Sequence, residues 1–91
     1  MTEKTITIST ASGVHARPAA MFVKLANRFP CEIIVRKGDT DINGKSIMGL
    51  MMLALTRGTT ITVIAEGQKE KEAVNSLTRL VEDNFEREDL L

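Results

Sequence analysis

The chain is short of most residue types that binding and catalytic domains rely on. Its 91 residues include one cysteine, one histidine, two prolines and three phenylalanines, with no tryptophan or tyrosine. A lone Cys31 excludes an intramolecular disulfide. With no histidine or second cysteine beside it in sequence to activate the thiol, a small buried hydrophobe is its expected role. Few aromatics leave few platforms for stacked bases, and 12 basic residues against 12 acidic ones give no global basic field, so nucleic acid is not an expected partner. No apolar run is long enough to span a membrane, and MTEKTITIST lacks the core of a signal peptide. The expectation is a soluble, cytoplasmic protein without membrane insertion, and without a cofactor or metal.

What is present is 43% hydrophobic content, enough for one compact domain over residues 1–91 but too little chain for a deep two-lobed cleft. The function is therefore expected on a surface. Lys4 to Thr10 alternates with Ile6 and Ile8 on one face, the period of a half-buried strand. Ala19, Phe22, Val23, Ala26 and Phe29 recur at helical spacing, which predicts a helix from Ala16 to about Phe29, with Pro18 in its first turn and Pro30 at its stop. Cys31 to Lys37 is rich in β-branched residues, and Gly38-Asp39 turns it into a second strand over Thr40 to Asn43.

The run KSIMGLMMLAL favours a short helix from Ser46 to about Leu53, because Met, Leu and Ala are better helix formers than strand formers. TTITVIAE is a strand by composition. Ala73, Val74, Leu77, Leu80 and Val81 then stripe a long helix from Lys69 to about Phe85. The order strand, helix, strand, strand, helix, strand, helix (βαββαβα) suggests an α+β sandwich with helices on one sheet face and a threonine-rich face open to water.

The octapeptide GVHARPAA, from Gly13 to Ala20, puts His15 one residue ahead of a helix start. Taken alone, an exposed capping histidine is the plain reading. Arg17 adds a fork of donors suited to phosphate oxygens, and the helix start adds amides and the positive dipole end. A neutral imidazole nitrogen can attack phosphorus without a separate base. No adjacent carboxylate or Ser, His and Asp set supports hydrolysis, so a site with one nucleophile and anion clamps suits a carrier rather than a turnover enzyme.

The Met-rich helix is apolar on nearly every side. Leu50, Leu53 and Ala54 share one face for the core, whereas Ile47, Met48 and Met51 share another that is expected to stay exposed and meet partners through flexible thioethers. The alternative is that the methionines fill core gaps. Gly49 costs about 1 kcal/mol against alanine inside a helix, which points to close approach by another backbone or a partner, or to packing. Ser46 reads as an N-cap. Lys24, Arg28 and Lys45 are expected to bring positive charge near His15, while Glu82, Asp83, Glu86, Glu88 and Asp89 crowd the tail.

GVHARPAA, followed by NGKSIMGLMMLA and GTTITVIAEG, resembles the HPr family, histidine phosphocarriers of the bacterial phosphotransferase system, over nearly the whole chain. The resemblance implies an open-faced β-sandwich, a four-stranded antiparallel sheet with three helices on one face. It implies that His15 accepts a phosphoryl group at Nδ1 from phospho-enzyme I, charged by phosphoenolpyruvate, and passes it to enzyme IIA domains in sugar uptake, with Arg17 steadying the group. Ser46 matches the serine modified by HPr kinase/phosphorylase, which with transcriptional regulators completes the implied partners. Ala16, Ala20, Lys24, Lys45, Ile47, Met48 and Met51 are the expected partner-binding residues, and the expected state is a monomer. The acidic tail keeps a nitrogen-branch carrier of the NPr type as the alternative. A binding-only relative with a replaced histidine is a further rival, against which His15 and Arg17 argue.

Overall fold

The computed structural model describes residues 1–86 and 91. The elements are β1 (Thr2–Thr7), α1 (Ala16–Ala26), β2 (Glu32–Lys37), β3 (Thr40–Asn43), α2 (Ile47–Met52), β4 (Thr60–Glu66) and α3 (Glu70–Glu82). The strands form one antiparallel sheet in the order β1-β4-β2-β3. The last strand thus lies beside the first, an adjacency that strand patterns alone do not reveal.

Alternation decides which sheet face is covered. Ile33 and Val35 of β2 and Ile61, Val63 and Ala65 of β4 point into the core, where they meet the buried stripes of α1 and α3. Leu25, Leu77 and Leu80 are fully buried there, and truncating one to alanine costs about 2–5 kcal/mol. The opposite face carries threonine pairs, Thr5 with Thr62 at 3.0 Å and Thr7 with Thr60 at 3.3 Å, together with Ile34 beside a buried Ile64. On that face Arg36 donates twice to Asp41, at 2.6 and 2.9 Å, which holds the Asp41 carboxyl below its ordinary range. Cys31 is buried, as a small hydrophobe should be.

The element ends differ from expectation for identifiable reasons. β1 stops at Thr7, although Ile8 stays tied beside β4 through Thr59 O at 2.8 Å. α1 ends at Ala26 rather than near Phe29, because Arg28 and Phe29 donate three residues back, to Leu25 and Ala26, and tighten the chain ahead of Pro30. α3 ends at Glu82 rather than Phe85. Asn84, at φ +57, donates to Val81 O, and Phe85 donates to Leu80 O at 2.9 Å while its ring packs in the core. That is a Schellman stop with asparagine at the left-handed position.

These connections sort the molecule into two ends. One holds the loop before α1, the corner after α2, and Asn84, whose Oδ1 accepts from Ser9 at 2.7 Å. The other holds Met1, the turn after α1, and the starts of α2 and α3.

Candidate functional site

His15 is the N-cap of α1, in extended conformation, and its side chain makes no capping bond. Ala19 is the first residue whose N–H bonds back within the helix, to His15 O at 3.0 Å, and Pro18 has no N–H to satisfy. The amides of Ala16 and Arg17 thus have no carbonyl inside the helix to reach. They lie beside the imidazole at the positive end of the dipole. His15, Ala16, Arg17 and Ala20 are all exposed.

The loop that presents His15 lies directly on the corner after α2. Val14 N donates to Leu55 O at 2.7 Å. Gly13 sits at φ +70, and a Cβ there would come within 2.7 Å of Leu55 O. Only glycine lets the backbone lie that close.

Ser46 occupies the other end. Its hydroxyl accepts from Gly49 N at 3.0 Å, so it caps α2 as its sequence position predicted. Lys45 lies there too: its Nζ donates to Phe29 O at 2.8 Å, past the C-terminal end of α1. That corrects the expectation of charge near His15. Lys24 is exposed but nine residues on, roughly 13 Å along the helix, and Arg28 lies beyond the helix end. The three cations therefore do not gather at the imidazole.

α2 keeps its apolar outer face open. Ile47 is 40% exposed, Met48 76%, Met51 47% and Met52 78%, whereas Leu50 and Leu53 are buried. Met52 was missed by the two-face reading, although it belongs to the same Met run. Ala54 is a second correction: it is exposed at φ +51, turning the chain out of the helix instead of sharing the buried face. At Gly49 a Cβ would stand 3.3 Å from side-chain atoms of Ile42 and Ser46, so this glycine is a packing accommodation.

Glu82 pairs loosely with Lys4 at 3.6 Å, while Glu88 and Asp89 lie outside the described residues. Among the described residues no group of three or more His, Cys, Asp or Glu gathers to hold a metal, and no helix is long and apolar enough to cross a membrane. A depression of about 480 Å³ runs along β2 and β3, lined by Glu32, Ile34, Asp41 and Lys45. Its lining does not include His15.

The site is thus an exposed imidazole at a helix start without a side-chain cap, followed two residues on by an exposed arginine. Residues 2–83 match the family model described as the PTS HPr component phosphorylation site. The chain is 49% identical over 82 residues to the HPr-like protein Crh of Halalkalibacterium halodurans, covering 90% of this chain and 98% of that one. It is 45% identical over 82 residues to the phosphocarrier protein HPr of Pseudomonas aeruginosa, covering 89% and 91%. The structure superposes on HPr-C-His from Thermoanaerobacter tengcongensis with TM-score 0.90 and 45% identity, covering 93% and 96%. Crh of Bacillus subtilis, a dimer with a swapping domain, matches with TM-score 0.74 and 42% identity, covering 91% and 95%. The chain belongs to the HPr family of phosphocarrier proteins.

Proposed function

We propose that this protein takes a phosphoryl group onto His15 from phospho-enzyme I and hands it to enzyme IIA domains. The observation that carries the reading is the uncapped start of α1 with an exposed imidazole at its N-cap. In the transfer, the lone pair of the imidazole nitrogen forms a bond to phosphorus as the bond to the donor breaks. The electron pair of that bond leaves on the donor atom. The amides of Ala16 and Arg17, with the Arg17 guanidinium, face the charge on the phosphoryl oxygens.

Ile47, Met48, Met51 and Met52 form the docking face, with Ala16, Ala20 and Lys24 on the adjoining wet stripe of α1. Lys45 serves the far end of that face, beside Ser46. Phosphorylation of Ser46 by an HPr kinase/phosphorylase would place a dianion beside Ile47 and Met48 and weaken docking of an acidic partner. The carrier works as a single domain and as a monomer. A swapped dimer of the kind formed by Bacillus subtilis Crh would sediment at twice the mass.

A regulatory output is the second reading, favoured by the 49% identity to a Crh-type protein and, for a nitrogen-branch carrier, by the acidic tail. Incubation with phosphoenolpyruvate and enzyme I, followed by intact mass measurement, separates a carrier of either branch from a binding-only protein. The carrier reading expects one phosphoryl group that is lost in acid, as a phosphohistidine N–P bond is. A protein that gains none is a binding module.

A further inference from the structure

The corner that supports the His15 loop is itself held by a lysine from the sheet. α2 carries no basic residue in its own last turn, where the carbonyls lack helical partners and the dipole is negative. Lys37, the last residue of β2, supplies that charge from another element. Its half-buried side chain donates from Nζ to Leu53 O at 2.7 Å and to Ala54 O at 3.3 Å.

Ala54 needs such a clamp. It sits at φ +51, in the left-handed region that an alanine seldom adopts, and its carbonyl also accepts from Thr56 N at 2.9 Å. The next carbonyl, that of Leu55, accepts from Val14 N and is the surface against which Gly13 is pressed. His15 follows Val14 directly. A continuous path thus runs from the Lys37 ammonium through the carbonyls of residues 53 and 54 to Leu55 O, Val14 and the imidazole.

We propose that Lys37 is a positioning residue for phosphoryl acceptance: by clamping the Leu53–Ala54 corner it fixes the height and tilt at which His15 meets its donor. The proposal rests on the reading of His15 as the acceptor. Without the ammonium, the partly buried Leu53 carbonyl loses this donor and that of Ala54 keeps only Thr56 N, so the left-handed turn relaxes, carrying Leu55 O and the loop with it. A small misplacement of a nucleophile is expensive in rate, while Ile47, Met48 and Met51, on the outer face of α2, keep their docking role.

Lys37→Met keeps the aliphatic stem and removes the donor. With phospho-enzyme I as donor, its maximal rate of His15 phosphorylation is expected to fall about fivefold, with KM for enzyme I within about twofold of wild type. Lys37→Arg, which retains charge and donors, is expected to restore the rate. Hydrogen exchange at the Val14 amide reads the corner without any phosphate, and should quicken about tenfold in Lys37→Met alone. Wild-type rate and wild-type Val14 protection in Lys37→Met would overturn the role. So would a defect confined to KM, or one that Lys37→Arg leaves unrepaired. A wild-type chain that takes no phosphate on His15 overturns the carrier reading and this role with it, whereas a phosphorylated wild type beside an indifferent Lys37→Met overturns this role alone.

Discussion

At one end of the molecule α1 begins with no side chain capping it, beside an exposed histidine; at the other, α2 begins under a serine cap, and α3, whose N-cap Lys69 makes no side-chain cap either, opens on a Glu70 carboxylate already engaged. Ser46 Oγ takes the amide of Gly49, and Glu70 accepts from Gly67 N at 3.2 Å, from the Thr2 hydroxyl at 2.5 Å and from the N-terminal ammonium at 2.9 Å. The same element, a helix N-terminus, is closed by a serine in α2 and left without a side-chain cap in α1, where the proposed chemistry lies. Both ends are built from ordinary residues. What separates α1 from α2 is whether a side chain caps the helix start.

Substitutions that move capacity between the ends sharpen this contrast. The largest effect is expected from Arg17→Ala, which removes a charge-assisted clamp but no core volume: phosphoryl transfer to His15 should slow ten- to about a hundredfold with the melting temperature unchanged. Equal single-turnover rates would remove Arg17 from the site. Ser46→Asp carries charge to the closed end, and KM for enzyme I should rise about tenfold while the maximal rate holds. If the variant is phosphorylated like wild type at low enzyme I, Ser46 has no bearing on docking.

Ser46→Ala opens the closed end without adding charge. It should cost about 1 kcal/mol in urea unfolding and leave transfer unaltered, whereas a loss of transfer would show that the two ends are not separable. The smallest effect is expected from Glu70→Gln. The Thr2 hydroxyl, the N-terminal ammonium and the Gly67 N–H hold the Glu70 carboxyl down to about 2, against an ordinary value of 4.5. A depressed carboxylate stabilises the fold fully above its unfolded value and loses that contribution as pH falls through its folded value. Melting temperature should therefore decline more gently in Glu70→Gln than in wild type between pH 4.5 and 2, and parallel curves would mean the pairing contributes nothing.

Much of the architecture is legible in the sequence because period and punctuation agree. Ile6 and Ile8 alternate into the core, Gly38-Asp39 turns β2 into β3, and Ser46 caps the helix it precedes. The stop of α3 is encoded as well, in Asn84 followed by Phe85, but it requires recognising that asparagine can take the left-handed place of glycine. Ala54 is not legible, since alanine reads as helix and its φ of +51 is imposed by the corner around it. The pairing of β1 with β4 and the reach of Lys37 to Leu53 O and Lys45 to Phe29 O are long-range facts. Lys45, expected near His15 from its sign alone, is therefore carried to Phe29 O at the other end of α1.

The candidate site itself divides in the same way. His15, Arg17 and Ser46 stand out in one dimension, because each lies at a helix boundary that local pattern predicts. The distance between them does not, because it depends on α1 and α2 running in opposite directions, with Lys45 at one end of α1 and Leu55 at the other. That antiparallel placement puts Ser46 at the far end of the helix pair from His15.

Mapping the phosphoryl group by peptide mass spectrometry, after the protein has been charged with phosphoenolpyruvate and enzyme I, tests the division between the ends most directly. The account predicts an acid-labile phosphoryl group on the peptide carrying His15, none at Ser46, and none anywhere in His15→Ala. Phosphate on any other residue, or a charge that persists in His15→Ala, would contradict it.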